Sequence, residues 1–92
     1  LQQYTKAIPF LQKAASADKQ NYLPLSELGF SFYSLKQHDE ALAYLKSAEL
    51  LKPKAEAVVY YSGLCYVKKG LKAEAVKKYN ELVLQSSEYA IT

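Results

Sequence analysis

Apolar residues recur along positions 21–53 with the spacing of two amphipathic helices. The first carries its apolar face at positions i, i+3, i+4 and i+7: Leu25, Leu28, Gly29 and Phe32. The second carries small and large apolar residues on one face: Ala41, Leu45 and Ala48. A short polar run at 36–39 separates the two. The pattern therefore predicts two helices joined by a tight turn.

The same pattern returns at an offset of 34 residues. Gly29 is matched by Gly63, and Ala41 is matched by Ala75. In the other direction, the second helix pattern reappears as Ala7, Leu11 and Ala14. We therefore predict a single domain at 1–92, divided into a half unit, two full units and a tail or the start of another unit. The corresponding ranges are 1–20, 21–54, 55–87 and 88–92.

Five helices follow from the pattern, with predicted bounds of 4–17, 22–35, 40–52, 55–69 and 71 or 72–85. Pro9 is expected near the start of the first helix, where its missing N–H costs least. Asn21 and Asp39 are the expected N-caps of the second and third helices, and Gly70 is expected to end the fourth in the left-handed conformation. Residues 86–92 form either a frayed tail or the first turn of a sixth helix with a serine N-cap.

These units resemble the tetratricopeptide repeat, whose motif combines an aromatic residue, Leu-Gly and small residues on a helix pair that ends at proline. The central unit carries Leu25, Leu28-Gly29, Phe32, Ala41, Leu45, Ala48 and Pro53 at these positions. The next unit carries Val59, Ser62-Gly63, Tyr66, Ala75, Tyr79 and Leu82, with Ser87 in place of proline. The resemblance implies an all-α right-handed superhelix (α-solenoid) of antiparallel helix pairs. At its close helix crossings we expect Gly29 to face Ala41, and Gly63 to face Ala75.

The resemblance also implies that the first helix of each unit lines a concave groove, in which members of the family bind peptides, helices or other proteins. The free face of these helices is apolar rather than polar, so it either packs against neighbouring helices or forms a binding surface. Phe30, Tyr33, Tyr60 and Leu64 are together hard to bury within two units. The predicted groove residues are Leu23, Ser26, Glu27, Phe30, Tyr33, Ala57, Tyr60, Tyr61, Leu64, Val67 and Lys68.

Composition excludes several other functions. The net charge of +3 comes from scattered lysines, which do not form the clustered basic face of a nucleic-acid-binding protein. No apolar run approaches the roughly 20 residues of a membrane span. The single Cys excludes an internal disulfide and a cysteine-based zinc site. Because the chain opens at Leu1 rather than Met, we expect it to be part of a longer protein; the cytoplasm is favoured over the periplasm.

Candidate catalytic residues are few, so we predict neither an enzyme nor a cofactor. His38 stands alone in a turn and is interpreted as a solvated loop residue. Cys65 is interpreted as an inert core thiol, because nothing near it in the repeat supplies a base. The glutamates are interpreted as solvated, with Glu74 and Lys78 forming an i,i+4 pair.

Some members of the family bind a C-terminal carboxylate through Lys, Asn and Arg side chains. The matching positions in this chain carry no basic residue: Ser26, Glu27, Phe30, Ala57 and Tyr61. We therefore predict a protein-interaction scaffold that binds a peptide or helix of a partner in an apolar and aromatic groove. The alternative is structural self-assembly, with homo-oligomers formed through the apolar face or the open ends of the repeat array.

Overall fold

A computed structural model describes the backbone of residues 2–91 and the side chains of residues 3–84. Five helices follow one another: α1 (Gln2–Ala17), α2 (Tyr22–Ser34), α3 (His38–Leu51), α4 (Glu56–Lys68) and α5 (Lys72–Ile91). The described residues contain no β-strand. The prediction of an all-α fold is confirmed.

The N-terminal ends of α2 and α3 are stabilised differently. The backbone N–H of Leu23 donates to the Asn21 side chain at 3.1 Å, so Asn21 caps α2 as predicted. The predicted Asp39 cap is wrong, because α3 begins at His38 and Gln37 occupies the N-cap position without a side-chain hydrogen bond. Asp39 instead lies inside the first turn, where the helix dipole favours a negative charge.

The C-terminal ends of α2 and α4 share one hydrogen-bonding pattern. At the end of α4, the N–H of Gly70 donates to the Val67 carbonyl, and the N–H of Leu71 donates to the Tyr66 carbonyl at 2.8 Å. This pair of hydrogen bonds forms a Schellman motif, which requires a left-handed residue, here Gly70 with φ 76°. The equivalent position after α2 is Lys36, which adopts φ 63° although it has a Cβ.

The first and last helices are longer than predicted. Because α1 begins at Gln2, Pro9 lies in its middle rather than near its start. Helix α5 continues to Ile91 without a break, so its predicted end at Gln85 and a sixth helix beginning at residues 86–87 are both wrong.

The helices form two layers. Helix α2 packs against α3, and α4 against α5, which gives two consecutive helix pairs whose short connections make their members antiparallel. Helix α1 packs on α2, and α3 packs on α4. Since α2 and α4 also pack directly against each other, they form one layer. Helices α1, α3 and α5 pack against this layer and form the second one. The result is an extended body of 40 × 29 × 19 Å.

Small and branched residues at these helix contacts form the core. The side chains without solvent exposure are Leu28, Ala41, Leu45, Ala48, Val58, Val59 and Cys65. Gly29 lies closest to Leu45 rather than Ala41: a Cβ built on Gly29 would be 2.5 Å from the Leu45 side chain. Gly63 lies closest to Tyr79 rather than Ala75, and the corresponding distance is 3.3 Å. The predicted close crossings exist. Ala41 also lies at the first one, since its carbonyl oxygen would be 3.4 Å from the same Cβ, whereas at the second the neighbours are Tyr79 and Lys78.

Candidate partner-binding groove

The predicted groove residues form two sets, one on α2 and one on α4, and the two sets are related by the 34-residue offset. Within each set the residues lie on one face of the helix. On α2 they are Leu23, Ser26, Glu27, Phe30 and Tyr33; on α4 they are Ala57, Tyr60, Tyr61, Leu64, Val67 and Lys68. None of these side chains is buried, and Leu23, Tyr60 and Val67 are about half exposed. Of the four residues expected to be hard to bury within two units, Phe30, Tyr33 and Leu64 are partly buried and Tyr60 is exposed.

Aromatic rings from three helices meet on this face. Tyr61 lies at the centre, with its ring centroid 5.0 Å from that of Phe30, 5.4 Å from Tyr60 and 5.8 Å from Tyr33. Phe30 also contacts Tyr4 of α1 in an edge-to-face arrangement at 5.5 Å. These separations are typical of favourable aromatic pairs. We call Tyr4, Phe30, Tyr33, Tyr60 and Tyr61 the aromatic cluster.

Tyr4 was not among the predicted groove residues, although the repeat offers a signal for it. Adding 34 to its number leads to His38, whose ring lies 5.6 Å from that of Tyr33. In both units, therefore, a ring at the start of a second helix contacts a ring of the concave face. A prediction drawn from the first helices alone misses this position.

One cavity lies beside the aromatic cluster, at the start of α4. Its volume is about 380 Å³, and its lining residues are Glu56, Ala57, Tyr60, Tyr61 and Leu82. Ala57, Tyr60 and Tyr61 belong to the predicted set, whereas Leu82 comes from the second helix of the unit. Because a cavity of this kind has apolar walls and one carboxylate at its edge, it suits an apolar side chain of a bound segment.

A second cavity lies where α2 and α4 end. Its volume is about 420 Å³, and its lining residues are Tyr33, Ser34, Lys36, His38 and Lys68. We call it the lysine cavity. His38 was predicted to be a solvated loop residue; instead it is the first residue of α3, and its side chain is half-buried. Its Nδ1 atom is covered and has no hydrogen-bond partner among the described residues.

Burial changes the chemistry of two side chains near the groove. Desolvation within the aromatic cluster, followed by the influence of Cys65, raises the pKa of Tyr33, so its hydroxyl remains a neutral hydrogen-bond donor at neutral pH. Burial also raises the pKa of Cys65 to about 11, against a smaller opposite effect of Lys69. The thiol is therefore protonated and inaccessible, and the interpretation of Cys65 as an inert core thiol is confirmed.

Two glutamates interpreted as solvated are instead part of an ion-pair network. Lys78 pairs with Glu49 of α3 and, at 3.3 Å, with Glu81 of its own helix, rather than with Glu74 as predicted. Burial alone would lower the pKa of Lys78, but the hydrogen bond and charge of Glu49 outweigh this effect and the net pKa is raised. The network ties α3 to α5 on the side away from the groove.

The match to known repeats covers most of the chain. Family models described as tetratricopeptide repeat match residues 25–55 and residues 56–87, one full unit each. Together with the Gly29–Leu45 crossing and the helix pairs, these matches decide the family. The chain belongs to the tetratricopeptide repeat family. Among curated protein sequences, none matches this tetratricopeptide chain.

Solved structures of MamA, a helical repeat protein, have the same fold. One crystal structure of MamA superposes with a TM-score of 0.91 at 27% identity, covering 98% of this chain and 53% of that one. A second MamA structure, described as MamA MSR-1 C2, is 34% identical to this chain and superposes with a TM-score of 0.81. The match covers 92% of this chain and 51% of that MamA chain. The tetratricopeptide chain thus spans about half the length of these MamA structures.

Membership of this family indicates a protein-interaction scaffold with protein partners. Such folds are typically non-enzymatic. Among the described side chains, no group of three or more His, Cys, Asp and Glu residues gathers closely enough to bind a metal ion. Between residues 2 and 91, no helix combines the length and apolarity needed to cross a membrane.

Proposed function

We propose that the concave face of α2 and α4 binds an amphipathic segment of a partner protein. The observation that carries this proposal is the aromatic cluster, which joins Tyr4 of α1, Phe30 and Tyr33 of α2, and Tyr60 and Tyr61 of α4 on one solvent-accessible surface. Rings that are rigid, apolar and partly exposed lose little conformational entropy when a partner covers them.

The surroundings of the cluster support the same proposal. A cavity of about 380 Å³ beside Tyr60 and Tyr61 can accept one apolar side chain of the bound segment. Leu23 and Val67 extend the exposed apolar surface along the two helices. An amphipathic segment, helical or extended, presents apolar side chains in the spacing that such a groove accommodates.

A peptide-selection experiment tests this proposal and does not require the natural partner. Random 16-residue peptides with amidated C-termini are selected on the wild-type protein, and their affinity is measured by fluorescence anisotropy. Phe30→Ala with Tyr60→Ala should weaken binding of the selected peptides at least tenfold, because truncation of a central aromatic residue commonly costs about 2 kcal/mol or more.

The matched control removes exposed apolar surface elsewhere. Phe10 is 74% exposed and Leu50 is 85% exposed, and neither lies on the concave face. Phe10→Ala with Leu50→Ala should leave affinity unchanged. Equal loss in both double variants, or no loss in either, would contradict the groove assignment. Circular dichroism checks that the variants fold. If replacing the half-buried Phe30 unfolds the protein, the single variant Tyr60→Ala replaces the double variant in the binding measurement.

Self-association is the alternative function, and one observation favours it. Leu42 of α3 is 6% exposed because α4 covers it, whereas Val76, which holds the equivalent position on α5, is 56% exposed. Val83 is also exposed on α5, so among the described side chains this helix presents an uncovered apolar face to a second copy. Sedimentation velocity measures the oligomeric state. Val76→Lys should abolish a dimer formed through α5, and a wild-type protein that is monomeric at high concentration would refute self-association.

A further inference from the structure

The lysine cavity lies between the C-terminal ends of α2 and α4. Ser34 and Lys68 are the last residues of α2 and α4 and differ in number by 34. Lys36 lies in the turn after α2, and His38 begins α3. The cavity of about 420 Å³ therefore lies at the end of the concave face where both inner helices terminate.

The charges of this cavity are not neutralised. Lys36 and Lys68 form no ion pair within the part of the chain that the structure describes. The acid nearest to Lys36 in the chain is Asp39, which pairs with Lys69. The hydrogen bond from Lys69 holds the pKa of Asp39 below its usual range. This carboxylate is therefore engaged by Lys69 and does not neutralise Lys36. Two lysine residues that form no ion pair among the described side chains thus line one cavity.

The backbone at Lys36 adds an independent observation. Lys36 occupies the left-handed region at φ 63°, a conformation that costs a residue with a Cβ about 1–2 kcal/mol. The next unit holds Gly70 at the equivalent position, with φ 76° and no such cost. Strain kept at a position where glycine fits the fold points to a role for the side chain. Here that side chain lines the cavity.

The cavity continues the groove. Tyr33 lines the cavity and also contacts Tyr61 at the centre of the aromatic cluster. The hydroxyls of Tyr33 and Ser34 add hydrogen-bond donors beside the lysines. Glu27 is exposed in the middle of α2, and Glu56, the first residue of α4, lines the first cavity. Neither carboxylate lines the lysine cavity.

We propose that the lysine cavity binds a side-chain carboxylate, Asp or Glu, of the segment that occupies the groove. The proposal rests on the proposed function, and it specifies an acidic residue of the bound segment and places it where α2 and α4 end. All twelve basic residues of the chain are lysines, so the anion is held by ammonium point charges, and the anion that an unmodified peptide segment offers on its side chains is a carboxylate. The site lies apart from Ser26, Glu27, Phe30, Ala57 and Tyr61, the positions at which relatives grip a terminal carboxylate.

Charge reversal combined with peptide selection tests this inference. Peptides selected on the wild-type protein, all with amidated C-termini, should be enriched in Asp or Glu near one end of the apolar pattern. Lys36→Glu with Lys68→Glu should weaken these peptides about tenfold, and replacing the peptide's acidic residue by Lys should restore binding to the variant. The matched control, Lys46→Glu with Lys77→Glu, makes the same change in net charge at exposed lysines outside the cavity and should have no comparable effect.

The outcomes separate this inference from the proposed function. If peptide binding depends on Phe30 and Tyr60 but is insensitive to reversal of Lys36 and Lys68, the groove stands and the carboxylate site is overturned. If no selected peptide depends on Phe30 and Tyr60, the groove itself is refuted. Selected peptides that bind through Phe30 and Tyr60 but show no enrichment in Asp or Glu would also overturn the carboxylate assignment.

Discussion

The two repeat glycines differ in the space around them, and this difference makes a quantitative prediction. A Cβ on Gly29 would lie 2.5 Å from both Cγ and Cδ2 of Leu45 and 3.4 Å from the carbonyl oxygen of Ala41. Leu45 has no solvent exposure, and its Cγ lies close to its own backbone, so the side chain cannot move aside. A Cβ on Gly63 would meet the ring edge of Tyr79 at 3.3 Å, and this ring is only half-buried.

The free energies follow from two opposing effects. Replacing glycine by alanine inside a helix gains about 1 kcal/mol of helix propensity. Overpacking a filled core costs about 1–3 kcal/mol, and the Gly29 contact belongs at the upper end. We expect Gly29→Ala to lower the free energy of unfolding by about 1–2 kcal/mol. Gly63→Ala should leave it unchanged or raise it by up to about 1 kcal/mol, because the Tyr79 ring can yield by a few tenths of an ångström.

Urea and thermal unfolding measure the difference between these variants. For a domain of this size, 1 kcal/mol corresponds to about 4–8 °C in Tm, so the two variants should be separated by roughly 10 °C. A double-mutant cycle identifies the cause: Leu45→Ala should cost less in the Gly29→Ala background than in wild type, with a coupling of about 1 kcal/mol or more. If Gly29→Ala were as stable as Gly63→Ala, overpacking against Leu45 would be refuted.

Three further predictions concern stability. Residues 36 and 70 are both left-handed, a conformation that favours glycine. In urea unfolding, Lys36→Gly should therefore raise the free energy of unfolding by about 0.5–1 kcal/mol, and Gly70→Ala should lower it by about 1 kcal/mol. Changes of the opposite sign would contradict this explanation. Because the folded Cys65 pKa of about 11 exceeds its ordinary 9.0, the unfolded chain loses its proton first and stability falls between pH 9 and 11. When unfolding is measured over the same pH range, the free energy of unfolding of Cys65→Ala should fall by about 1–2 kcal/mol less than that of the wild type. Lys78→Met should cost about 1–3 kcal/mol by leaving half-buried Glu49 unpaired, and adding Glu49→Gln should recover part of it.

The repeat unit was predictable because its signals are local. Apolar spacing, the 34-residue offset and the terminating Gly70 were enough to place five helices and the close approach at Gly29. That the proposed groove residues lie outside the core was predictable for the same reason, since residues left over from one helical face must lie on the opposite one; their role in binding stays a prediction. All of its members are at least partly exposed.

Errors arose where two elements compete for one residue. Asp39 satisfies the rule for an N-cap, but it pairs with Lys69, the C-cap residue of α4, and α3 starts at His38. Lys78 has an acid four residues before it, yet it pairs with Glu49 of another helix. Sequence rules for caps and i,i+4 pairs describe an isolated helix and contain no information about its neighbours.

The helix periodicity, the repeat length and the family depend on the order of apolar and small residues along the chain, so they could be predicted without a structure. Which rings meet, and where charge stays unpaired, depends on how the helices pack. Tyr4 contacts Phe30 because α1 packs on α2, and Lys36 lines the same cavity as Lys68 because α2 packs beside α4. The aromatic cluster and the lysine cavity are therefore properties of the helix packing, whereas the helices that carry them are properties of the sequence.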